Sequence, residues 1–264
     1  MRFESRALLA TVWLILGLML VLSAAHAEDY RVGEGDLLRI SVFDHPELAL
    51  EARVSQSGSI SYPLIGLVQI AGMSTRQVEL LIAQKLTEGN FIKQPQVSII
   101  VGEFQSQKIG VIGQVTKPGQ YSLTGTTLVL DALSMSGGVL NDSAADEATL
   151  IRKDGASQAI DLRKLFDGDA SMNVQVRNGD TLSVPKAPQF YIYGEVQKPG
   201  TYRLSRGMTL SQAISAGGGL TNHGTERRAV VKRRDAKGKE QEYSLKSNGV
   251  LQADDVVMIK QSWF

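Results

Sequence analysis

The sequence predicts an α+β protein made of three small mixed β-sheet domains in tandem, the last two being copies of one module. Two observations carry this prediction. A stretch of about forty residues recurs once along the chain at a constant spacing. Between Gly-containing turns, short runs alternate apolar and polar residues, which is typical of half-buried strands, and only short stretches have helical spacing. Of the 264 residues, 43% are hydrophobic and 21% charged, a composition that favours folded domains over disorder.

The first 27 residues have the pattern of a secretory signal peptide. Arg2 and Arg6 precede an apolar run from Ala7 to Leu22, and Ala25-His26-Ala27 supplies the small residues that a signal peptidase reads. The run is short for a membrane span of about 20 residues, so an uncleaved anchor is the less favoured alternative. We therefore expect residues 1–27 to be removed.

Charge and cysteine content exclude several classes of protein. Without Arg2, Arg6 and Glu4, the 28 basic and 27 acidic residues become 26 of each, so the exported chain is formally neutral. Neutrality removes the general electrostatic argument for a nucleic-acid partner. The chain has no Cys, which excludes a disulfide scaffold, a Cys-ligated metal, a Cys nucleophile and a lipidated Cys.

Residues 28–106 are predicted to form the first domain. A Gly-rich turn feeds a strand within Tyr30–Phe43, and residues 95–101 give a later strand. Ser74 and Gln77 fit a capping box at the start of a helix. The predicted buried face of that helix consists of Val78, Leu81, Ile82 and Leu86.

Two copies of one module are predicted for residues 107–187 and 188–264. Gly113–Leu123, G-Q-V-T-K-P-G-Q-Y-S-L, recurs as Gly194–Leu204, G-E-V-Q-K-P-G-T-Y-R-L, at an offset of 81 residues. At the same offset Gly137-Gly138 matches Gly218-Gly219, and Arg152 matches Arg233. The register holds for about forty residues, which indicates duplication.

Each copy is interpreted as strand, turn, strand, short helix, hairpin and closing strand. The Lys-Pro-Gly segments at 117–119 and 198–200 predict type II turns with Gly at positive φ. Thr127 and Thr209 are predicted N-caps of the two helices. The hairpins are expected to turn at Asp154-Gly155 and near Lys237-Gly238.

These segments carry a resemblance to a known family. The run Y-R-V-G-E-G-D-L-L-R-I-S-V-F-D-H-P-E-L from Tyr30, the run V-S-Q-S-G-S-I-S-Y-P-L-I-G from Val54 and the later P-Q-V-S-I-I-V resemble the N-terminal domain of the bacterial polysaccharide export family, the Wza-like outer-membrane exporters. The two repeats resemble soluble-ligand-binding β-grasp (SLBB) domains, which follow that domain in the family. The resemblance implies β-grasp-like repeats and a ring-forming periplasmic protein whose stacked domains enclose a conduit for capsular or exopolysaccharide.

Two departures from the family shape the expected partners. Lipoprotein-type members carry an acylated Cys at the mature N-terminus and end in a long amphipathic helix that crosses the outer membrane. Here Glu28 follows the predicted cleavage site, and Trp263-Phe264 comes directly after the closing strand. We expect a short form that lies in the periplasm of a Gram-negative bacterium, associated with the outer membrane, and that relies on a separate outer-membrane β-barrel protein. The resemblance also implies an inner-membrane polysaccharide co-polymerase as partner.

The sequence offers no constellation for chemistry. His45 and His223 lie in different predicted domains, and neither a dinucleotide fingerprint nor a phosphate loop is present. Asp254-Asp255 could suit a glycosidase, but adjacent residues on a strand point to opposite faces, so we interpret the pair as a strand-start turn. The sequence therefore predicts no enzyme, no cofactor and no metal site.

Three features are candidate contacts for a polymer or a partner. The segment from Arg227 to Lys239 holds a single acidic residue, Asp235, and these basic residues: Arg227, Arg228, Lys232, Arg233, Arg234, Lys237 and Lys239. Such runs usually face water, so a solvated hairpin is the simpler interpretation and contact with an anionic polymer or acidic partner the functional one. Tyr62, in Y-P-L-I-G, fits polymer contact or a rigid turn at a subunit contact. Trp263 and Phe264 suit a membrane interface or a β-barrel partner.

Two functions remain open from the sequence. A homo-oligomeric ring that passes a polysaccharide chain needs head-to-tail interfaces, because heterologous contacts close into rings. The alternative is a monomeric periplasmic module that binds a glycan or another soluble ligand.

Overall fold

The described part of the chain forms three consecutive mixed α/β units. A computed structural model describes residues 30–235 and 237–262. Each unit has its own hydrophobic core, built respectively from residues between Val32 and Ile99, between Ile109 and Val184, and between Phe190 and Ile259. The predicted fold class is therefore confirmed. The domain boundaries stay predictions, and the signal peptide predicted for residues 1–27 lies outside the described residues.

The first unit consists of a three-stranded antiparallel sheet, a hairpin and one long helix. Its elements are β1 (Leu37–Val42), β2 (His45–Arg53), β3 (Ser59–Tyr62), β4 (Gly66–Gln69), α1 (Thr75–Glu88) and β5 (Val97–Glu103). The sheet has the order β2-β1-β5, and β3 pairs with β4. The predicted capping box is confirmed: the Gln77 amide donates to Ser74 Oγ at 3.3 Å, and the Ser74 amide donates to Gln77 Oε1 at 2.9 Å. Val78, Ile82 and Leu86 are buried, whereas Leu81 is half-buried.

The second unit is built on a five-stranded sheet. Its elements are β6 (Lys108–Gly113), β7 (Gly119–Ser122), β8 (Thr127–Leu128), α2 (Val129–Met135), β9 (Glu147–Ile151), β10 (Ser157–Asp161), α3 (Leu162–Phe166), β11 (Gln175–Val176) and β12 (Thr181–Val184). The sheet order is β10-β9-β12-β6-β7, with β12 parallel to β6 and the other neighbours antiparallel. Strands β8 and β11 form a separate pair.

The third unit repeats this sheet strand for strand. Its elements are β13 (Gln189–Gly194), β14 (Gly200–Arg203), α4 (Leu210–Ala216), a 3-10 helix (Glu226–Arg228), β15 (Val230–Arg234), β16 (Glu240–Ser244) and β17 (Val256–Ile259). The order is β14-β13-β17-β15-β16, and β17 runs parallel to β13. The repeat at an offset of 81 residues is thus a repeated fold, and both predicted hairpins form.

The glycine with positive φ lies earlier in each copy than predicted. Gly119 and Gly200 begin strands β7 and β14 and do not have positive φ, so the type II turn predicted at Lys-Pro-Gly is wrong. Gly113 and Gly194, at the ends of β6 and β13, have φ of 91° and 89°. An added Cβ there would lie 2.0 Å and 2.2 Å from the carbonyl oxygen that ends the neighbouring closing strand. Close backbone approach, rather than the turn, requires these two glycines.

The two short helices begin differently. Thr209 caps α4 as predicted: the Gln212 amide donates to Thr209 Oγ1 at 3.3 Å. Thr127 does not cap α2; it lies in β8, and its hydroxyl donates to the Gly125 carbonyl. Leu128 occupies the cap position instead, and its amide donates to the Asp131 carboxylate at 2.8 Å. The prediction for Thr127 is wrong because the helix begins one residue later.

Candidate functional site

The predicted basic residues do not form one continuous surface. Arg227 lies in the 3-10 helix that precedes β15, whereas Lys237 and Lys239 lie in the turn that follows it. The two groups are therefore at opposite ends of one strand. Between them, β15 carries Lys232, Arg233 and Arg234. Arg228 is partly engaged, since its Nη1 donates to the Gln261 carbonyl at 3.1 Å.

Arg233 is committed to a buried carboxylate. Its Nε and Nη2 donate to the two oxygens of Asp255, both at 2.7 Å, and Asp255 is fully buried. The side chain of Arg233 is only 19% exposed, and its guanidinium lies 5.5 Å from the ring centre of Tyr243. The hydrogen bonds that Arg233 donates to Asp255 raise the pKa of the guanidinium. A bidentate pair of this kind holds the structure together. The geometry of Arg233 therefore does not support the predicted contact with a polymer.

The Asp255 site is one of three similar strand starts. Asp36, Asp180 and Asp255 are all buried, and each carboxylate accepts the amide three residues earlier at 2.8 Å. Asp180 is paired with Arg152 at 2.7 Å, as Asp255 is with Arg233. The interpretation of Asp254-Asp255 as a strand-start turn missed this burial, although the match of Arg152 to Arg233 at the repeat offset was a signal for it.

Asp36 is satisfied without a cation. The Tyr30 hydroxyl donates to its carboxylate at 2.6 Å, and the amides of Gln105 and Ser106 donate at 2.8 Å each. The Ser106 hydroxyl adds a further bond at 2.9 Å. Burial, followed by the bond to Asp36, raises the pKa of Tyr30 well above its usual range. This carboxylate joins the start of the described chain to the segment that leads into the second unit.

Lys232 and Arg234 line a cleft on the third unit. The cleft has a volume of about 400 Å³, and Tyr191, Glu240 and Asp254 also line it. Lys232 Nζ lies 3.2 Å from Glu240, and the hydrogen bond between them raises the pKa of Lys232. Arg234 is exposed and has no ion-pair partner among the described residues. Arg233 also lines this cleft, so three of the predicted basic residues, all on β15, meet at one cavity.

Tyr62 is a core residue. Its side chain is 2% exposed, and its hydroxyl donates to the Leu48 carbonyl at 2.8 Å, while burial raises its pKa. The prediction that Tyr62 contacts a polymer is therefore wrong for this structure, because no part of the ring reaches the surface. The exposed residues of the same hairpin are Leu64 and Leu67. The other predicted aromatic contacts, Trp263 and Phe264, lie outside the described residues.

An ion-pair cluster that the sequence analysis missed joins the second and third units. Arg203 donates to Asp146 at 2.5 Å and to the Ala144 carbonyl at 3.0 Å. Arg206 donates to Asp161 at 2.7 Å. Asp146 and Asp161 belong to the second unit: Asp146 immediately precedes β9, and Asp161 ends β10. Both arginines belong to the third unit: Arg203 ends β14, and Arg206 follows it by three residues.

The described residues offer no grouped ligands for a metal and no apolar span. Within residues 30–235 and 237–262, three or more His, Cys, Asp or Glu side chains are nowhere grouped as a metal site. In the same part of the chain, every helix is too short or too polar to cross a bilayer.

Tandem mixed-sheet units, two of them built on the same five-stranded sheet, define a modular protein of the β-grasp class. Comparison with known families agrees with this class. The family described as polysaccharide biosynthesis/export protein matches residues 24–102. SLBB domains match residues 107–184 and 189–243. The chain therefore contains a polysaccharide export domain followed by two SLBB domains.

Several curated proteins are similar to this chain. EPS I polysaccharide export outer membrane protein EpsA of Ralstonia nicotianae is 30% identical over 250 residues, which cover 84% of this chain and 65% of EpsA. Capsule polysaccharide export protein BexD of Haemophilus influenzae is 24% identical over 220 residues, covering 75% of this chain and 55% of BexD. Polysialic acid transport protein KpsD of Escherichia coli is 27% identical over 173 residues, which cover 64% of this chain and 30% of KpsD. The chain thus spans less than two thirds of the length of these relatives.

Proposed function

We propose that this protein is a ring-forming component of a conduit that carries capsular polysaccharide or exopolysaccharide through the periplasm to the outer membrane. The observation that carries the proposal is the ordered match of one export domain and two SLBB domains along the chain. The similarity to EpsA, BexD and KpsD supports it, since all three are named for polysaccharide export or transport.

Such a role requires no covalent step. A closed wall of protein excludes lipid and periplasmic enzymes from the chain that passes, and weak contacts allow a hydrated glycan to slide. Head-to-tail interfaces between copies of one chain close into a ring when the rotation permits it. The protein would then act by enclosing space, and it would not be an enzyme.

Location and partners follow from the same proposal. We place the protein in the periplasm, associated with the outer membrane, in agreement with the names of EpsA and of the capsule polysaccharide export outer membrane protein CtrA of Neisseria meningitidis. An inner-membrane co-polymerase and a separate outer-membrane β-barrel protein stay predictions.

A deletion experiment tests the export role. Removal of the gene should abolish extracellular polysaccharide, and expression of the full chain should restore it. Glycan released from the periplasm by osmotic shock is measured in parallel, because a block in export should raise it. Unchanged extracellular polysaccharide in the deletion strain would overturn the proposal.

The assembly state separates the conduit from the alternative. Native mass spectrometry and electron microscopy of the purified mature chain should reveal a closed oligomer with a central opening. A strict monomer over a range of concentration, with and without detergent, would instead favour the periplasmic module that binds a glycan or soluble ligand.

A further inference from the structure

The two β-grasp sheets share their packed face but differ on their open face. In both, the residues that point to the helix are buried and aliphatic or aromatic. The open face of the second-unit sheet is small, hydroxylic or aliphatic: Gly110, Ile112, Thr149, Ile151, Thr181 and Ser183. The six corresponding positions of the third-unit sheet are aromatic or aliphatic except for one lysine: Tyr191, Tyr193, Val230, Lys232, Val256 and Met258. The two copies of the sheet thus present different residues on their open faces.

Two tyrosines dominate this surface. Tyr191 and Tyr193 are 42% and 40% exposed and lie two residues apart on β13. Side chains at this spacing project from the same face about 6.6 Å apart. Val256 and Met258 pair with them across β17 and are half-buried. Among the described residues, neither tyrosine hydroxyl has a hydrogen-bond partner. The two rings therefore form an exposed aromatic platform on this face.

Charged residues of both signs border the platform on one side, along β15 and β16. Lys232 pairs with Val256 across the sheet, so it lies in the same row as Tyr191. Arg234 is two residues further along β15 on the same face, and the cleft of about 400 Å³ reaches from Tyr191 to both cations. Lys232 is neutralised by Glu240 at 3.2 Å and by Glu242 at 3.6 Å, both on the neighbouring strand β16, and Asp254 also lines the cleft. Arg234 has no ion pair within the described residues and is therefore the cation available to a ligand.

The wider charge distribution has the same sign. Residues 188–264 contain twelve basic and seven acidic residues, an excess of five positive charges. Residues 28–106 contain six basic and ten acidic residues. An excess of positive charge raises the local concentration of oppositely charged ligands, so within this chain the third unit is the favourable one for an anion.

We propose that the open face of the third-unit sheet binds a glycan segment that carries carboxylate groups. The rings of Tyr191 and Tyr193 contact the apolar C–H faces of neighbouring pyranose rings, and Arg234 lies beside a carboxylate of the glycan. This inference rests on the proposed export function and names the class of its cargo.

A glycan fits this surface better than a protein does. Aromatic side chains combine a large apolar area with a polar end, which suits a ligand whose surface alternates C–H and hydroxyl groups. Specific protein partners usually bury about 800 Å² on each side around a packed apolar centre. Two tyrosines and three half-buried aliphatic residues, bordered by charge, offer less than that. Contact of this kind is also weak, as a sliding polymer requires.

Calorimetric titration of the full mature chain with a hexamer of galacturonate tests the proposal. We expect saturable binding that weakens as salt is added. Tyr191→Ala and Tyr193→Ala should each raise Kd about three- to tenfold, the range expected for loss of one aromatic contact. Tyr191→Phe, which retains the ring, should bind almost as the unmodified chain does. Arg234→Ala should raise Kd at low salt and reduce the salt dependence.

A matched control lies in the second unit. Ile112 occupies the position of Tyr193 in the repeat and is 47% exposed, so Ile112→Ala should leave Kd unchanged. A neutral glucose hexamer should bind more weakly than the galacturonate hexamer.

Three outcomes would overturn the inference: unchanged Kd in both tyrosine-to-alanine variants that still melt as the parent chain does, an equal effect of Ile112→Ala, or equal binding of the neutral hexamer. If deletion of the gene still abolishes extracellular polysaccharide, any of these results removes the glycan platform and leaves the export function standing.

Discussion

Arg233 and Asp255 form a bidentate ion pair whose two N···O distances are both 2.7 Å, and this pair ties strand β15 to the start of strand β17. The carboxylate is fully buried. A buried charge without a partner retains its full desolvation cost, so Arg233 is needed to offset the burial of Asp255.

Arg233→Ala should therefore destabilise the third unit strongly. Removing one partner of a buried pair costs about 3–5 kcal/mol of unfolding free energy. The measurement is urea unfolding followed by circular dichroism at pH 7. Arg234→Ala is the matched control on the same strand, and because Arg234 is exposed its change should stay within about 0.5 kcal/mol. Equal stability of the two variants would contradict the assignment of Arg233 as a structural residue.

Asp36→Asn should loosen the segment that leads into the second unit. The carboxylate accepts bonds from Tyr30, Gln105 and Ser106, and an amide would turn a donor toward some of these donors. An unsatisfied buried group costs about 1–3 kcal/mol. Hydrogen exchange should show faster exchange at the amides of Gln105 and Ser106. Glu34→Gln, a neighbouring exposed acid, should leave both amides protected, and unchanged exchange in Asp36→Asn would refute the role.

Gly113→Ala and Gly194→Ala should destabilise their respective units by about 2 kcal/mol or more. Both positions have positive φ, and an added Cβ would meet a strand carbonyl at 2.0 Å and 2.2 Å. Gly119→Ala is the control, since nothing lies within 4 Å of an added Cβ there. Thermal unfolding of the three variants provides the comparison. A larger loss of thermal stability in Gly119→Ala than in Gly113→Ala would indicate that the glycine of Lys-Pro-Gly, and not Gly113, is the one that the fold requires.

These glycines illustrate how far sequence reasoning extends. The repeat offset and the alternation of apolar residues predicted every strand of the two five-stranded sheets, because those signals are local. The backbone contact of Gly113 with strand β12 is made across about seventy residues, so no local pattern contains it. The same holds for Arg233 and Asp255, whose pairing depends on sheet register. A carboxylate at a strand start has the same sequence signature whether it is buried or exposed.

Contacts between units could not be predicted from the sequence. Arg203 and Arg206 occupy positions that in the first copy hold Ser122 and Gly125, so the repeat gives no indication of their role. Tyr191 and Tyr193 were predicted on a strand, but their open face became visible only once each row of the sheet had been assigned. The prediction that Tyr62 lies on the surface failed because the apolar residues next to it in the sequence are the same for a buried hairpin strand and an exposed one.

The ion-pair cluster between the second and third units should fix their relative orientation. The chain has no Cys, so spin labels at Ala156→Cys and Lys237→Cys, both exposed positions, report one distance between the two units. We expect a narrow distance distribution that broadens in Arg203→Ala and in Arg206→Ala. Arg177→Ala, an exposed arginine outside the cluster, should leave the distribution narrow. A distribution that is equally narrow in all four proteins would contradict the proposed joint.

Acid should loosen the same ion-pair cluster, because protonation of Asp146 and Asp161 removes their charges. Burial alone would raise the pKa of Asp146. The amide of Arg206 and the guanidiniums of Arg203 and Arg163 outweigh burial and hold this pKa below its ordinary value of 3.8. The bond from Arg206, with the amide of Lys164, also lowers the pKa of Asp161. Carboxylates with a lowered pKa stabilise the joint above the ordinary value, and that contribution is lost as pH falls through the lowered pKa. The label distances should therefore stay narrow from pH 7 to about pH 4 and broaden only below it, whereas broadening near pH 6 would point to a histidine and against Asp146 and Asp161.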